Sequence, residues 1–251
     1  IKPIIAVPTT SGTGSEVGRA GVVTDETSNT KKVIFHPNMI PRIVICDPEL
    51  LIGLPRNLTA WTGMDALVHC LEAYCATGYH PIADGIALEG LSLIRRWLPR
   101  AVADGTDLEA RTNMMTAAAM GATAFQKGLG AIHALSHPVG AIYDTHHGHT
   151  NAVFTPYVLK YNRSAVANRL TDLARYLNLP SPSFCAIVDW ILELREEFNI
   201  SHTALELGVE PNRLMELATM AAADPTAATN PVPVDAPSIY RIYERAMNGE
   251  L

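Results

Sequence analysis

The chain has little of what several large protein classes require. Its four cysteines, at 46, 70, 75 and 185 of 251 residues, make no C-x-x-C pair, which argues against a disulfide framework and a zinc finger and favours reduced thiols in a cytoplasmic protein. Basic residues are scarce: 19 Lys and Arg stand against 25 Asp and Glu, for a net charge of −6, and no Lys/Arg run exceeds two residues. That balance excludes nucleic acid and an anionic membrane as natural partners. No apolar run reaches the ~20 residues of a membrane helix, nothing at the N-terminus resembles a signal peptide, and no repeat or low-complexity tract is found. What remains, 48% apolar, is a globular protein of one or two domains with small-molecule partners.

Two textures divide what is there. Residues 1 to about 55 read as strands and turns: an apolar run at 4–7, AGVVT at 20–24, a polar tip from Asp25 to Thr30, KKVIF at 31–35 and RIVIC at 42–46. This pattern predicts a hairpin flanked by buried strands. The chain opens on a strand-like run with neither Met nor leader, so further chain is expected before it. From residue 56 to 251, apolar residues recur at helical spacing, near 58–77, 82–103, 107–126, 128–142, 163–177, 183–198, 209–223 and 236–248, and predict a helical domain. The charges of Glu193-Leu194-Arg195-Glu196-Glu197 read as a solvated helix face, and Met114, Met115, Met120, Leu135 and Val139 as ordinary helix packing.

The stretch PTTSGTGSEV, residues 8–17, fails the two phosphate-binding fingerprints it suggests. Val17 stands where G-x-G-x-x-G/A requires its third small residue, and Gly-Lys-Ser/Thr is lacking. It reads instead as a strand-to-strand loop that offers hydroxyls and backbone N–H groups to a polar ligand.

The chemistry-bearing residues cluster further on. GMDALVHCLEAY (63–74) is helical by pattern and places Asp65 and His69 one turn apart on one face. His133 and His137 repeat the i, i+4 spacing, and Pro138 is expected to end or kink their helix. His146, His147 and His149 follow, so five of the nine histidines fall between 133 and 149. A carboxylate with two or three imidazoles suits Zn(II) or Fe(II). Ala134 occupies the place of the glutamate base in H-E-x-x-H, which disfavours a zinc peptidase.

With GLGAIHALSHPVGAIYDTHHG (128–148) in the same order, these motifs resemble the iron-containing (group III) alcohol dehydrogenases, from Ile1 to about Asn162. The resemblance implies an α/β plus all-α fold of the dehydroquinate synthase type, with the end of a nucleotide-binding domain at 1–55 and a helical metal-binding domain at 56–251. It implies Fe(II) or Zn(II) on Asp65, His69, His133 and His147, and assigns His137 as a non-ligating active-site histidine that relays a proton. It also implies NAD or NADP against Thr9, Thr10 and Thr13 and beside Lys31. The implied activity is hydride transfer between a small alcohol and its aldehyde or ketone, in a homodimer, with the metal as Lewis acid. A maleylacetate reductase-like enzyme and a metal-dependent hydrolase or lyase are the alternatives. His146 replaces the family's usual Pro, which leaves His146 as a rival to His147.

Overall fold

The computed structural model describes residues 2–25 and 30–251, apart from the side chains of residue 22 and of residues 24, 25 and 30–33. Its few strands come first and its helices follow. Strands β1 (Ile5–Ala6) and β4 (Ile43–Val44) pair in parallel, Ile5 opposite Ile43. Strands β2 (Ala20–Asp25) and β3 (Thr30–Phe35) form the expected antiparallel hairpin, with Ala20 opposite Phe35. The expected tip lies partly outside the described residues.

The flanking strands are not buried as expected. Ile5 is 61% exposed and Ile43 54%, because a two-stranded sheet has no second layer of its own to cover the faces of its β-branched side chains.

Among the described residues eight α-helices follow: α1 (Arg56–Cys75), α2 (Pro81–Ala103), α3 (Leu108–Ala124), α4 (Ala131–Tyr143), α5 (His147–Tyr176), α6 (Phe184–Glu197), α7 (Leu214–Ala222) and α8 (Ala236–Asn248). Four of their starts follow capping chemistry. His80 Nδ1 accepts from Ala83 N ahead of α2, Asp107 caps α3, Ser183 caps α6, and Asp235 with Ser238 closes a capping box on α8, each satisfying N–H groups that lack an intrahelical partner. Helix α1 is the hub: every residue from Gly63 to Tyr74 is buried, and it packs against α2, α3 and α5. A helix buried on all faces needs no apolar stripe. Met114, Met115, Leu135 and Val139 join the core, as ordinary packing requires.

Three departures from the sequence reading have identifiable causes. Helix α4 does not end at Pro138 but runs through it to Tyr143; the proline removes one intrahelical N–H, and its burial with its helix neighbours keeps the helix intact. Helix α5 starts sixteen residues before the expected segment at 163, its opening HGHTN being polar and Pro156 lying inside it, while Val153, Phe154, Tyr157 and Val158 bury an apolar face that tertiary packing holds helical. Arg195 is buried, not solvated: its guanidinium donates to Ser201 O at 2.8 Å and Val153 O at 3.4 Å, which offsets the cost of removing the charge from water.

Candidate metal centre

Three helices meet at one point. Asp65 comes from the middle of α1, His133 from the first turn of α4 and His147 from the first position of α5. One ligand atom from each lies within 4.8 Å of the others. The turn that aims His147 depends on Asp144 in the left-handed region (φ 52°) at the end of α4, a conformation aspartate tolerates better than most residues. Gly148 then lets α5 pass α1 closely: a Cβ there would collide with the backbone of Trp61 and press on Asp65.

His69, the fourth expected ligand, stands beside this trio rather than within it. Its ring stacks on His133 with centroids 4.7 Å apart, and its Nδ1 lies 3.8 Å from Asp65 Oδ2. That nitrogen is buried and has no hydrogen-bond partner. A buried, unsatisfied imidazole nitrogen costs free energy, and it directly adjoins the converging oxygen and nitrogen acceptors. A carboxylate with imidazoles is a donor set that Zn(II) and Fe(II) accept, so these residues fit a divalent cation. His146 is separated from the trio; it packs against Trp61 at 5.0 Å, and His149 stacks on the same indole at 4.8 Å.

The sequence reading missed the residues that orient the trio. Glu72, two turns after Asp65 on the same face of α1, receives His133 Nδ1 at 2.6 Å on one oxygen and Ile132 N at 2.7 Å on the other. With Asn230 Oδ1, which accepts from Ala131 N at 3.0 Å, it supplies the acceptors that the start of α4 lacks locally. As a carboxylate, Glu72 takes the Nδ1–H of His133 and leaves Nε2 as the bare nitrogen on the metal side. Burial pushes the Glu72 carboxyl up to about 8, against backbone donors from Ile132, Gly130 and His133 that pull the other way; a cation on the far side of His133 would favour the carboxylate form that accepts from Nδ1–H. Burial, together with the imidazoles of His69, His147 and His137, holds His133 well below the ordinary histidine range and therefore neutral, the form that ligates. The spacing Asp65, His69, Glu72 was the available signal, since i, i+4, i+7 marks a single helix face.

His137 is partly exposed, at 35% of its side chain, and its Nδ1 lies 2.7 Å from Asp224 Oδ2. Its ring lies nearly parallel to that of His147, at 5.4 Å. Asp224 is itself fixed by Thr226, whose N and Oγ1 donate to Oδ1 at 2.8 and 2.6 Å. An Asp-Pro-Thr turn is the sequence signal for such an anchored carboxylate.

The loop from Pro8 to Gly14 leans on α1 and α3. A Cβ on Gly12 would lie 2.9 Å from Thr62 Cβ, three residues before Asp65, and Gly14 (φ 64°) packs against Ala118 and Ala122 of α3. Ser11 is buried, whereas Thr9, Thr10 and Thr13 are exposed. The backbone of Lys31 lies in β3; its side chain is outside the described residues.

Comparison with known proteins matches this arrangement. The family model for the C-terminal part of Fe-containing alcohol dehydrogenases matches residues 59–247, and that for iron-containing alcohol dehydrogenase matches residues 1–48. The chain is 40% identical to a 4-hydroxybutyrate dehydrogenase of Cupriavidus necator, over 98% of this chain and 66% of the relative. It is 40% identical to alcohol dehydrogenase 4 of Schizosaccharomyces pombe, over 98% and 59%. A crystal structure of a 1,3-propanediol oxidoreductase superposes with a TM-score of 0.94 at 37% identity, covering 98% of this chain and 66% of that one. The chain thus spans about two thirds or less of the length of these relatives. From the family models, the fold and the meeting of Asp65, His133 and His147, we conclude that this chain belongs to the iron-containing alcohol dehydrogenase family.

Proposed function

We propose that this protein is a metal-dependent alcohol dehydrogenase that moves hydride between a small alcohol or its carbonyl partner and NAD or NADP, with Fe(II) or Zn(II) on Asp65, His69, His133 and His147. The observation that carries the reading is the meeting of one carboxylate and two imidazoles from three separate helices, beside the buried, unpartnered Nδ1 of His69. When bound, the cation supplies Lewis acidity toward the substrate oxygen. The chain's own residues do the rest. Glu72 Oε2 lies 2.6 Å from His133 Nδ1, and as a carboxylate it accepts from Nδ1–H and leaves Nε2 for the cation. Asp224 occupies Nδ1 of His137, so the proton that leaves an alcohol is exchanged at Nε2, and the partial exposure of the ring gives it a path to water.

Thr9, Thr10 and Thr13 contribute cofactor contacts from a loop that Gly12 and Gly14 seat against α1 and α3, and Lys31 falls at the position of the family's cofactor-side lysine. Relatives named for methanol, 1,3-propanediol and 4-hydroxybutyrate support a small primary alcohol or aldehyde as substrate. A relative named as NAD-dependent supports a nicotinamide cofactor. No helix among the described residues is long and apolar enough to cross a membrane; with four unpaired cysteines, this favours a cytoplasmic enzyme, and the family favours a homodimer.

The test is a fluorescence titration of metal-loaded protein with NADH and NADPH, followed by turnover of a series of short alcohols. Saturable quenching by one nucleotide, with turnover lost in Asp65→Ala, is expected. A protein that retains its metal but binds neither nucleotide would instead be a hydrolase or lyase built on the same ligands.

A further inference from the structure

Asn151 lies one turn after His147 on α5 and is completely buried. Its Nδ2 lies 2.9 Å from Asp65 Oδ1, 3.1 Å from His147 Nε2 and 3.4 Å from His133 Nε2, so a single amide nitrogen faces all three converging atoms. Its Oδ1 has no partner. A primary amide has two N–H donors; here they are divided among three acceptors while the carbonyl goes unmatched, an arrangement that disfavours the amide and favours the acceptors around it.

The acceptors differ in what they can share. An imidazole nitrogen has one in-plane lone pair, which either accepts a hydrogen bond or ligates a cation. A carboxylate oxygen has two and can do both. Any cation held by His133 and His147 through these nitrogens must therefore displace the amide from both, whereas the bond to Asp65 can persist.

We propose that Asn151 is a placeholder donor for the metal site: its amide gathers Asp65, His133 and His147 around one nitrogen, and a divalent cation enters by displacing it from the two histidines while Asp65 keeps it. The inference rests on the metal reading given above and adds a residue that opposes the cation. A tethered amide must turn inside a packed helix interface to yield its place, whereas a water taking its position in a smaller variant simply leaves.

The test is a titration of chelator-treated protein with Co(II), read by visible absorption, alongside melting of the metal-free protein. For Asn151→Ala the account expects a lower melting temperature without metal and Co(II) affinity about 3–10-fold tighter, the size of the hydrogen bonds no longer in competition. Asn151→Ser, which keeps one donor, should fall between the two and replaces the alanine variant if that one does not fold. A residue that only aims the ligands would give the opposite sign, with affinity about 10–100-fold weaker. Unchanged or weaker binding in the variants therefore overturns the placeholder role and leaves the metal site standing. Failure of the unaltered protein to bind Co(II) overturns the metal reading itself.

Discussion

The helical and strand-bearing parts of this chain treat their apolar residues in opposite ways. In α1, α4 and α5 almost every side chain near Asp65, His133 and His147 is buried, and even the polar ones are held by Glu72, Asn151 and Asn230. In the strand-bearing part, Ile5, Ile43 and Ile45 are at least half exposed, and Thr9, Thr10 and Thr13 of the loop are exposed while Ser11 is buried. The difference separates two tasks. A metal site needs side-chain positions accurate to fractions of an ångström, and close packing supplies that. A loop that meets a cofactor can remain at the surface, provided its backbone is anchored.

The largest expected effect comes from breaking the helical part's own support. The Lys127 side chain is 2% exposed and its ammonium lies 2.7 Å from Asp84. Asp84→Asn leaves that charge buried without its carboxylate and should cost about 3–5 kcal/mol, measured by urea unfolding. Burial alone would raise the Asp84 pKa, but Lys127 and Arg169 lower it below the ordinary aspartate value. A depressed carboxylate contributes its full stability above the unfolded-state pKa and loses it as pH falls through the folded-state value. The native protein should therefore lose stability over that acid range, and the variant should lack this part of the slope.

Glu72→Gln comes next. The helix start is still capped by a neutral oxygen, but His133 loses its anionic partner, so metal affinity should fall about 10–100-fold with the fold retained; competition with a chromogenic chelator measures it. On the strand side, Gly14→Ala places a Cβ at a positive φ against α3. It should cost about 1–2 kcal/mol and weaken nucleotide binding while leaving metal affinity unchanged. An equal loss of both would mean that the two parts are not separable. The smallest effect belongs to Ile43→Thr, at an exposed position, where stability in thermal melts should change by no more than about 0.5 kcal/mol.

Much of this was legible in the sequence, and the reasons for the rest are physical. Asp65 with His69, and His133 with His137, stand out because spacing along helices encodes which side chains share a face, whereas the choice of His133 and His147 as ligands came from the family resemblance alone. The hairpin was legible because its two β-rich runs frame a polar tip. Glu72 carried the same helical signal but reads as an ordinary surface glutamate until the start of α4 is seen to need its oxygens. Asn151 was hidden because it sits in the polar opening HGHTN of α5, and Pro156 five residues on interrupts the helical reading of the apolar run that follows. Arg195 misled because charges at consecutive positions suggest water, while its partners are carbonyls outside its own helix, Ser201 just beyond it and Val153 on α5. That the flanking strands would be exposed is a property of missing neighbours, which no local pattern records.

The central claim is that side chains from three helices grip one cation. Plasma-emission metal analysis of purified protein and of its Asp65→Ala and His133→Ala variants, each checked by circular dichroism, tests it most directly. The account predicts one Fe(II) or Zn(II) per chain in the native protein and near-complete loss from both folded variants. Full metal content in either folded variant, or none in the native protein after supplying both ions, would contradict it.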